Sequence, residues 1–270
     1  MDQTDAPLSP DLKPKKTSPL VRVPWGPWTA VVYAVAVYFV AQFAAQLLVI
    51  IYPHLRGWNR AHGEDWLSTV TAQFWYVLFA EALTVAAVWW FLHLRKSGLR
   101  TIGWRRLRLG DVGMAIGGYL VYFFLYAVLL GIATQVFPSL NVNQKQQLGF
   151  DNPTGTINLI LTFFSLVVLP PLAEETVFRG FVFTGMRTKF RPLGAAIGTS
   201  LLFAVAHLEF GSGQPLLWTA ALDTFILSLV LCYLRQKTDS LWPGILVHAG
   251  KNSLAFWVLY IVPLVRFHFM

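Results

Sequence analysis

Residues 157–187 read INLILTFFSLVVLPPLAEETVFRGFVFTGMR. This stretch is long enough to cross a hydrocarbon core, which takes about 20 apolar residues in a helix. It shows no strand-like alternation. Yet it carries Glu174, Glu175 and Arg179 in its interior and two adjacent prolines, Pro170 and Pro171. A charged group inside a span costs at least about 2.5–3.5 kcal/mol on the insertion scale, so each such residue points to function.

Working outward, the same apolar density recurs along the chain. Of 270 residues, 56% are hydrophobic, 15% aromatic and only 13% charged, and the mean hydropathy is +0.55. Soluble domains carry about 25% charged residues. The composition therefore excludes a disordered chain, a disulfide-rich secreted module and an ordinary cytosolic enzyme. A single cysteine, Cys232, excludes internal disulfides, thiolate metal clusters and a CxxC redox site. Apolar stretches near 28–52, 68–94, 112–137, 157–187, 193–209, 218–235 and 241–265 predict an all-α, polytopic bundle of about seven transmembrane helices. Three regions are expected: a flexible basic cytoplasmic tail at 1–24, N-terminal transmembrane helices over 25–150, and a helix bundle holding the site over 151–265. The first apolar run exceeds the 7–15 residues usual for a signal-peptide core, so it reads as an uncleaved span.

The net charge of +8 is accounted for by topology. With the N-terminus inside, the tail, the 95–108 connection, the 187–191 connection and the segment after span six hold 15 Lys and Arg, against 4 in the outer connections. The positive-inside rule then gives a multi-pass protein of the cell membrane with a cytoplasmic N-terminus. The partner expected is the lipid bilayer. No nucleic acid is implied.

The polar residues inside the spans fall into patterns. Glu175 and Arg179 are four apart and share a helix face, which suits an ion pair. Glu174 points about 100° away and has no sequence-local partner. This suggests a division of labour, with Glu175 as scaffold and Glu174 free for proton work; the alternative is an inert buried network. If Pro171 opens a restarted helix, both glutamates lie near its positive end. Phe203 and His207 are also four apart, as are His248 and Asn252, and two neighbouring donors suit an oxyanion. Helix packing is the competing reading of both pairs. From the guessed span limits, Glu174, His207, His248 and Asn252 lie roughly 18, 21, 10 and 17 Å from the inner face. They share the middle of the bilayer. Glu81, Asp223 and Lys251 are further charges inside spans, and Asp223 is the expected partner of Lys251.

Several hydrolytic chemistries are excluded. There is no HExxH zinc motif. Gly198-Thr199-Ser200 is followed by Leu201 where a serine protease turn wants a small residue. Gly110-Asp111 lies in a basic loop and makes no two-aspartate site. Cys232 sits in an apolar run, poorly placed for a thiolate.

Glu174-Glu175-x-x-x-Arg179, Phe203-x-x-x-His207 and His248-x-x-x-Asn252, in this order on late spans, resemble the CAAX-protease and bacteriocin-processing family, the type II CAAX prenyl endopeptidases also called the Abi family. The resemblance covers roughly 155–265. It implies an intramembrane endopeptidase with a conical, buried cavity between helices in the C-terminal half, and a membrane-associated peptide or protein substrate, of CAAX type or a bacteriocin-like peptide. It further implies that Glu174 and His207 activate water, that His248 and Asn252 stabilise the oxyanion, and that Glu175 and Arg179, with Phe203, support the site. No cofactor is favoured; the zinc alternative is a site of Glu174, His207 and His248. A non-catalytic scaffold or immunity protein of the same fold, and a proton-coupled carrier using Glu81, Asp223 and Lys251, are the other readings. The Gly113/Gly117 and Gly194/Gly198 pairs are expected to pack this bundle, and the 138–156 loop to roof the cavity or bind a partner.

Overall fold

The computed structural model describes residues 21–142, 144, 149–150, 153–210 and 215–263, and among them there are helices and connections but no strand. Most of the basic tail, together with Asn143, Lys145 and Arg266, lies outside the described residues. The helices are α1 (Pro27–Leu55), α2 (Arg60–Leu67), α3 (Val70–Leu94), α4 (Leu109–Val136), α5 (Thr156–Met186), α6 (Pro192–Ala206), α7 (Trp218–Thr238) and α8 (Trp242–Phe256). Seven of them coincide with the expected spans. Helix α2 is new: it is short, polar and capped by the Asn59 side chain on the His62 amide, so no apolar pattern announced it.

Five helices, α1, α3, α4, α5 and α7, are long and apolar enough to cross a membrane. The protein is an integral membrane helix bundle. Buried residues make up 61% of the apolar window of α7, against 17–28% in the other four, so α7 is the central helix. Around it the apolar surface faces outward: Trp28, Phe39, Leu109 and Phe124 are all well exposed. That exposure is stable only where lipid is the solvent. Helix α6 has 15 residues and stops at Ala206, short of the expected limit at 209. Its C-cap is His207, and beyond that Glu209 takes a left-handed backbone (φ +53°). Helix α8 continues past Phe256 through a π turn at Trp257–Ile261.

The basic connections gather at one end of the bundle. Val21 donates its amide to Arg187 O (3.1 Å), Leu241 to Gly103 O (3.0 Å), and the Trp242 indole donates to Arg105 O (2.6 Å). Arg105 forks onto Asp111 (2.7 and 2.9 Å), and Arg187 donates to Gln236 (2.9 Å). Gly103 has φ +95°, and a Cβ there would stand 2.7 Å from the Arg235 Nε; only glycine fits. Residues 21–25 are docked rather than loose, since Trp25 is buried and stacks on Phe181 at 5.2 Å. Trp25, Phe91, Phe181 and Cys232 share one core cluster, while Tyr122, Leu227, Leu231 and Val247 share a second, between α4, α7 and α8.

The glycine pairs behave differently from one another. Gly198 packs against Met186, whereas a Cβ at Gly113 or Gly117 would meet nothing within 4 Å. These two line an open groove along α4 and α7 instead of a packed seam, a correction to the sequence reading. Gly118, one residue on, is the one pressed against Leu234.

Candidate active site

The proline pair does not restart α5. The helix runs on through two π-helical segments, Phe164–Val168 before the prolines and Thr176–Val182 after them. The reason is local. Pro170 has no N–H for Leu166 O in an α pattern, and Pro171 has none for the same oxygen in a π pattern. Leu166 O is therefore orphaned twice over, and the Asn252 Nδ2 of α8 donates to it at 2.9 Å. Asn252 thus fastens α8 to the point where α5 is interrupted.

One turn further along α5 the two glutamates separate as their angular offset requires. Glu175 is fully buried and its Oε1 accepts from Arg179 Nη1 at 2.9 Å. The same oxygen lies 3.1 Å from His248 Nδ1. Its Oε2 presses on Gly244, where a Cβ would sit 2.9 Å away. Glu174 keeps 26% of its side-chain surface, and its Oε2 lies 3.8 Å from His248 Nε2. His248 is therefore held between the two carboxylates, one on each ring nitrogen.

His207 caps the C-terminus of α6. Its Nδ1 lies 2.7 Å from Phe203 O. A carbonyl only accepts, so Nδ1 carries the hydrogen and the Nε2 lone pair is left for chemistry. His207 lies within electrostatic reach of Glu174, His248 and Lys251. The Phe203 ring is the hub of the arrangement: it touches His207 (4.6 Å between centroids), meets His248 edge-on (5.9 Å), and lies 4.4 Å from the Arg179 guanidinium carbon. That cation–π contact helps hold a buried guanidinium whose Nε and Nη2 have no hydrogen-bond partner.

The structure thus brings Glu174, Glu175, Arg179, Phe203, His207 and His248 together, with Asn252 one turn beyond His248 and engaged with Leu166. His248 and Asn252 share a face but address different acceptors. No group of three His, Cys, Asp or Glu side chains among the described residues is arranged to hold a metal ion. Lys251 pairs with Asp223 Oδ2 at 2.9 Å, and the Tyr122 hydroxyl donates to Asp223 Oδ1. This triad ties α4, α7 and α8 together.

Sequence reasoning marked Glu81 but did not place it by the site. It lies on α3 within electrostatic reach of Glu174, as does Tyr38 of α1. Tyr38 was missed altogether, because a tyrosine in an apolar span reads as part of an aromatic belt.

Residues 156–254, which contain all seven of the site residues above, match the family model described as type II CAAX prenyl endopeptidase Rce1-like. The likeness is to that segment alone. The match runs from the start of α5 to two residues short of the end of α8, and so includes both π segments of α5. An E. coli protein named "Uncharacterized 24.3 kDa protein" is 36% identical over 100 residues, which cover 36% of this chain and 43% of that protein. The UPF0177 protein YxdF of Lactococcus lactis subsp. lactis (strain IL1403) is 26% identical over 129 residues, covering 48% and 64%. The chain spans less than two thirds of the length of either relative. No solved structure matches it.

Proposed function

We propose that the protein is an intramembrane endopeptidase that hydrolyses a peptide bond of a membrane-associated peptide or protein. The observation that carries this reading is the inequality of the two glutamates: Glu175 is neutralised by Arg179, while Glu174 is partly open and faces His248 Nε2 at 3.8 Å. The Rce1-like match over 156–254 supports the same reaction class.

In this mechanism a water lies between Glu174 and the free Nε2 of His207. Glu174 takes one proton as the oxygen attacks the scissile carbonyl carbon, and His207 orients the remaining O–H. The Asn252 amide has a second N–H beyond the one given to Leu166 O, and that hydrogen faces the developing oxyanion. His248, fixed by Glu175 through Nδ1, steadies Glu174 through Nε2. As the C–N bond breaks, the proton held by Glu174 passes to the leaving amine. Every step uses side chains of this chain, and none is routed through a metal. The clustering of the basic connections at one end supports, by the positive-inside rule, a cytoplasmic N-terminus in a cell membrane.

The test is cleavage of a quenched peptide library by purified protein in proteoliposomes, comparing wild type with Glu174→Gln. Loss of cleavage in a variant that melts like wild type supports the assignment. Cleavage surviving in Glu174→Gln removes it.

A further inference from the structure

Peptide hydrolysis consumes water, which is scarce inside a bilayer, and a second set of polar residues leads toward Glu174. On α1, Tyr38, Gln42 and Gln46 recur at four-residue spacing and share one face. Helix α3 packs against α1 and brings Gln73 and Tyr76 to the same seam, with Glu81 further along the same helix. The Tyr76 hydroxyl donates to Gln42 Oε1 midway along it.

Toward the end opposite the basic connections, the seam opens into a recess of about 310 Å³ lined by Gln46, Gln73 and Tyr76 among apolar side chains. A water occupies about 30 Å³ of liquid, so the recess has room for several. The Gln73 Oε1 is buried with no hydrogen-bond partner. A buried orphan acceptor beside a polar recess is the setting in which ordered water is found. At the other end of the seam, α3 packs against the Leu169–Glu175 segment of α5, which carries Glu174, and Glu81 and Tyr38 lie within electrostatic reach of that carboxylate. Glu81 has no cationic partner among the described residues. Carboxylates at this depth face a partner or a wet cavity. Helix-to-helix bonding explains Gln42 and Tyr76 but leaves Gln46, Gln73 Oε1 and Glu81 without a reason to be polar.

We propose that the α1–α3 seam is a water-access path, with Gln46 and Gln73 at its mouth, Gln42 and Tyr76 midway, and Tyr38 and Glu81 at its inner end, supplying Glu174. Its role as a supply for hydrolysis rests on the peptidase reading; its wetness does not. Glu81 is then part of the polar lining that keeps the inner end hydrated.

The experiment is thiol accessibility in reconstituted vesicles. Cys232 is fully buried and gives wild type little reactive thiol. Single cysteines are placed at Gln46 and Gln42, with Val40→Cys, 67% exposed toward lipid, as the control at similar depth. A charged, membrane-impermeant methanethiosulfonate reacts with thiolate, so Gln46→Cys and Gln42→Cys should label about tenfold or more faster than Val40→Cys. Adding Gln46→Phe, which fills the mouth from an exposed position, should slow labelling at Gln42→Cys to the control rate. Equal rates at Gln42→Cys and Val40→Cys in protein that elutes as wild type overturn the path. Labelling needs no substrate, so fast labelling in an inactive chain would keep the path while removing the peptidase, and slow labelling in an active chain would remove the path alone.

Discussion

Asn252 donates its side-chain amide to Leu166 O at 2.9 Å, the one carbonyl that Pro170 and Pro171 together deprive of a backbone donor in either helical pattern. A motif residue that the family resemblance ties to the oxyanion therefore has a prior structural task. Asn252→Ala should leave that oxygen orphaned in the membrane interior and cost about 1–3 kcal/mol. Restoring an N–H with Pro170→Ala should return part of the loss in the double variant. Unfolding in detergent, followed by tryptophan fluorescence across the four-variant cycle, reads this coupling. Additive losses would show that the two sites are independent.

The adjacent glutamates should part company under mutation. Glu174→Gln is expected to abolish cleavage while shifting stability by no more than about 0.5 kcal/mol. Glu175→Gln leaves the buried Arg179 charge without its partner, and breaking such a pair costs about 3–5 kcal/mol. Melting temperature and turnover measured side by side separate the two. If Glu175→Gln melts like wild type, the scaffold role assigned to it is mistaken.

Gly244 offers a probe that leaves every charge in place. A methyl group there would stand 2.9 Å from Glu175 Oε2. Gly244→Ala should push Glu175 off Arg179 and His248 and cost about 1–3 kcal/mol through overpacking. Gly113→Ala, which meets open space, is the matched control and should be near neutral. Comparable melting of both variants would count against a tight fit at Gly244.

Phe203→Leu removes the ring that Arg179, His207 and His248 share. Loss of the cation–π contact alone is worth about 0.5–2 kcal/mol. Turnover should fall further than stability, because both histidines lose the surface that orients them. Equal kcat in Phe203→Leu and wild type would argue that the ring is packing only.

Metal removal gives an independent check. Prolonged dialysis against a chelator should leave cleavage unchanged, with no stoichiometric zinc in the active protein. Loss of activity that zinc restores would instead assign Glu174, His207 and His248 as ligands.

The helices were legible because lipid imposes one pattern, an unbroken apolar run of membrane length, and the ion pair of Glu175 with Arg179 followed from spacing along one helix. Spacing within a helix fixes faces, and faces survive the tertiary structure. What the sequence hid were relations between helices. His248 is held by two carboxylates 73 and 74 positions away, and Leu166 O needs a donor from 86 positions on; no local rule carries such pairs. The π segments were hidden too, since a proline pair announces a missing hydrogen bond but not how the backbone absorbs it. Gly113 and Gly117 misled because small residues permit close approach without requiring it.

Helix α6 has 15 residues, a rise of about 22 Å against a hydrocarbon thickness of about 30 Å. A helix this short favours a thinner bilayer on the flank where His207 sits. On the proposed function, bilayers of shorter lipids should then favour cleavage.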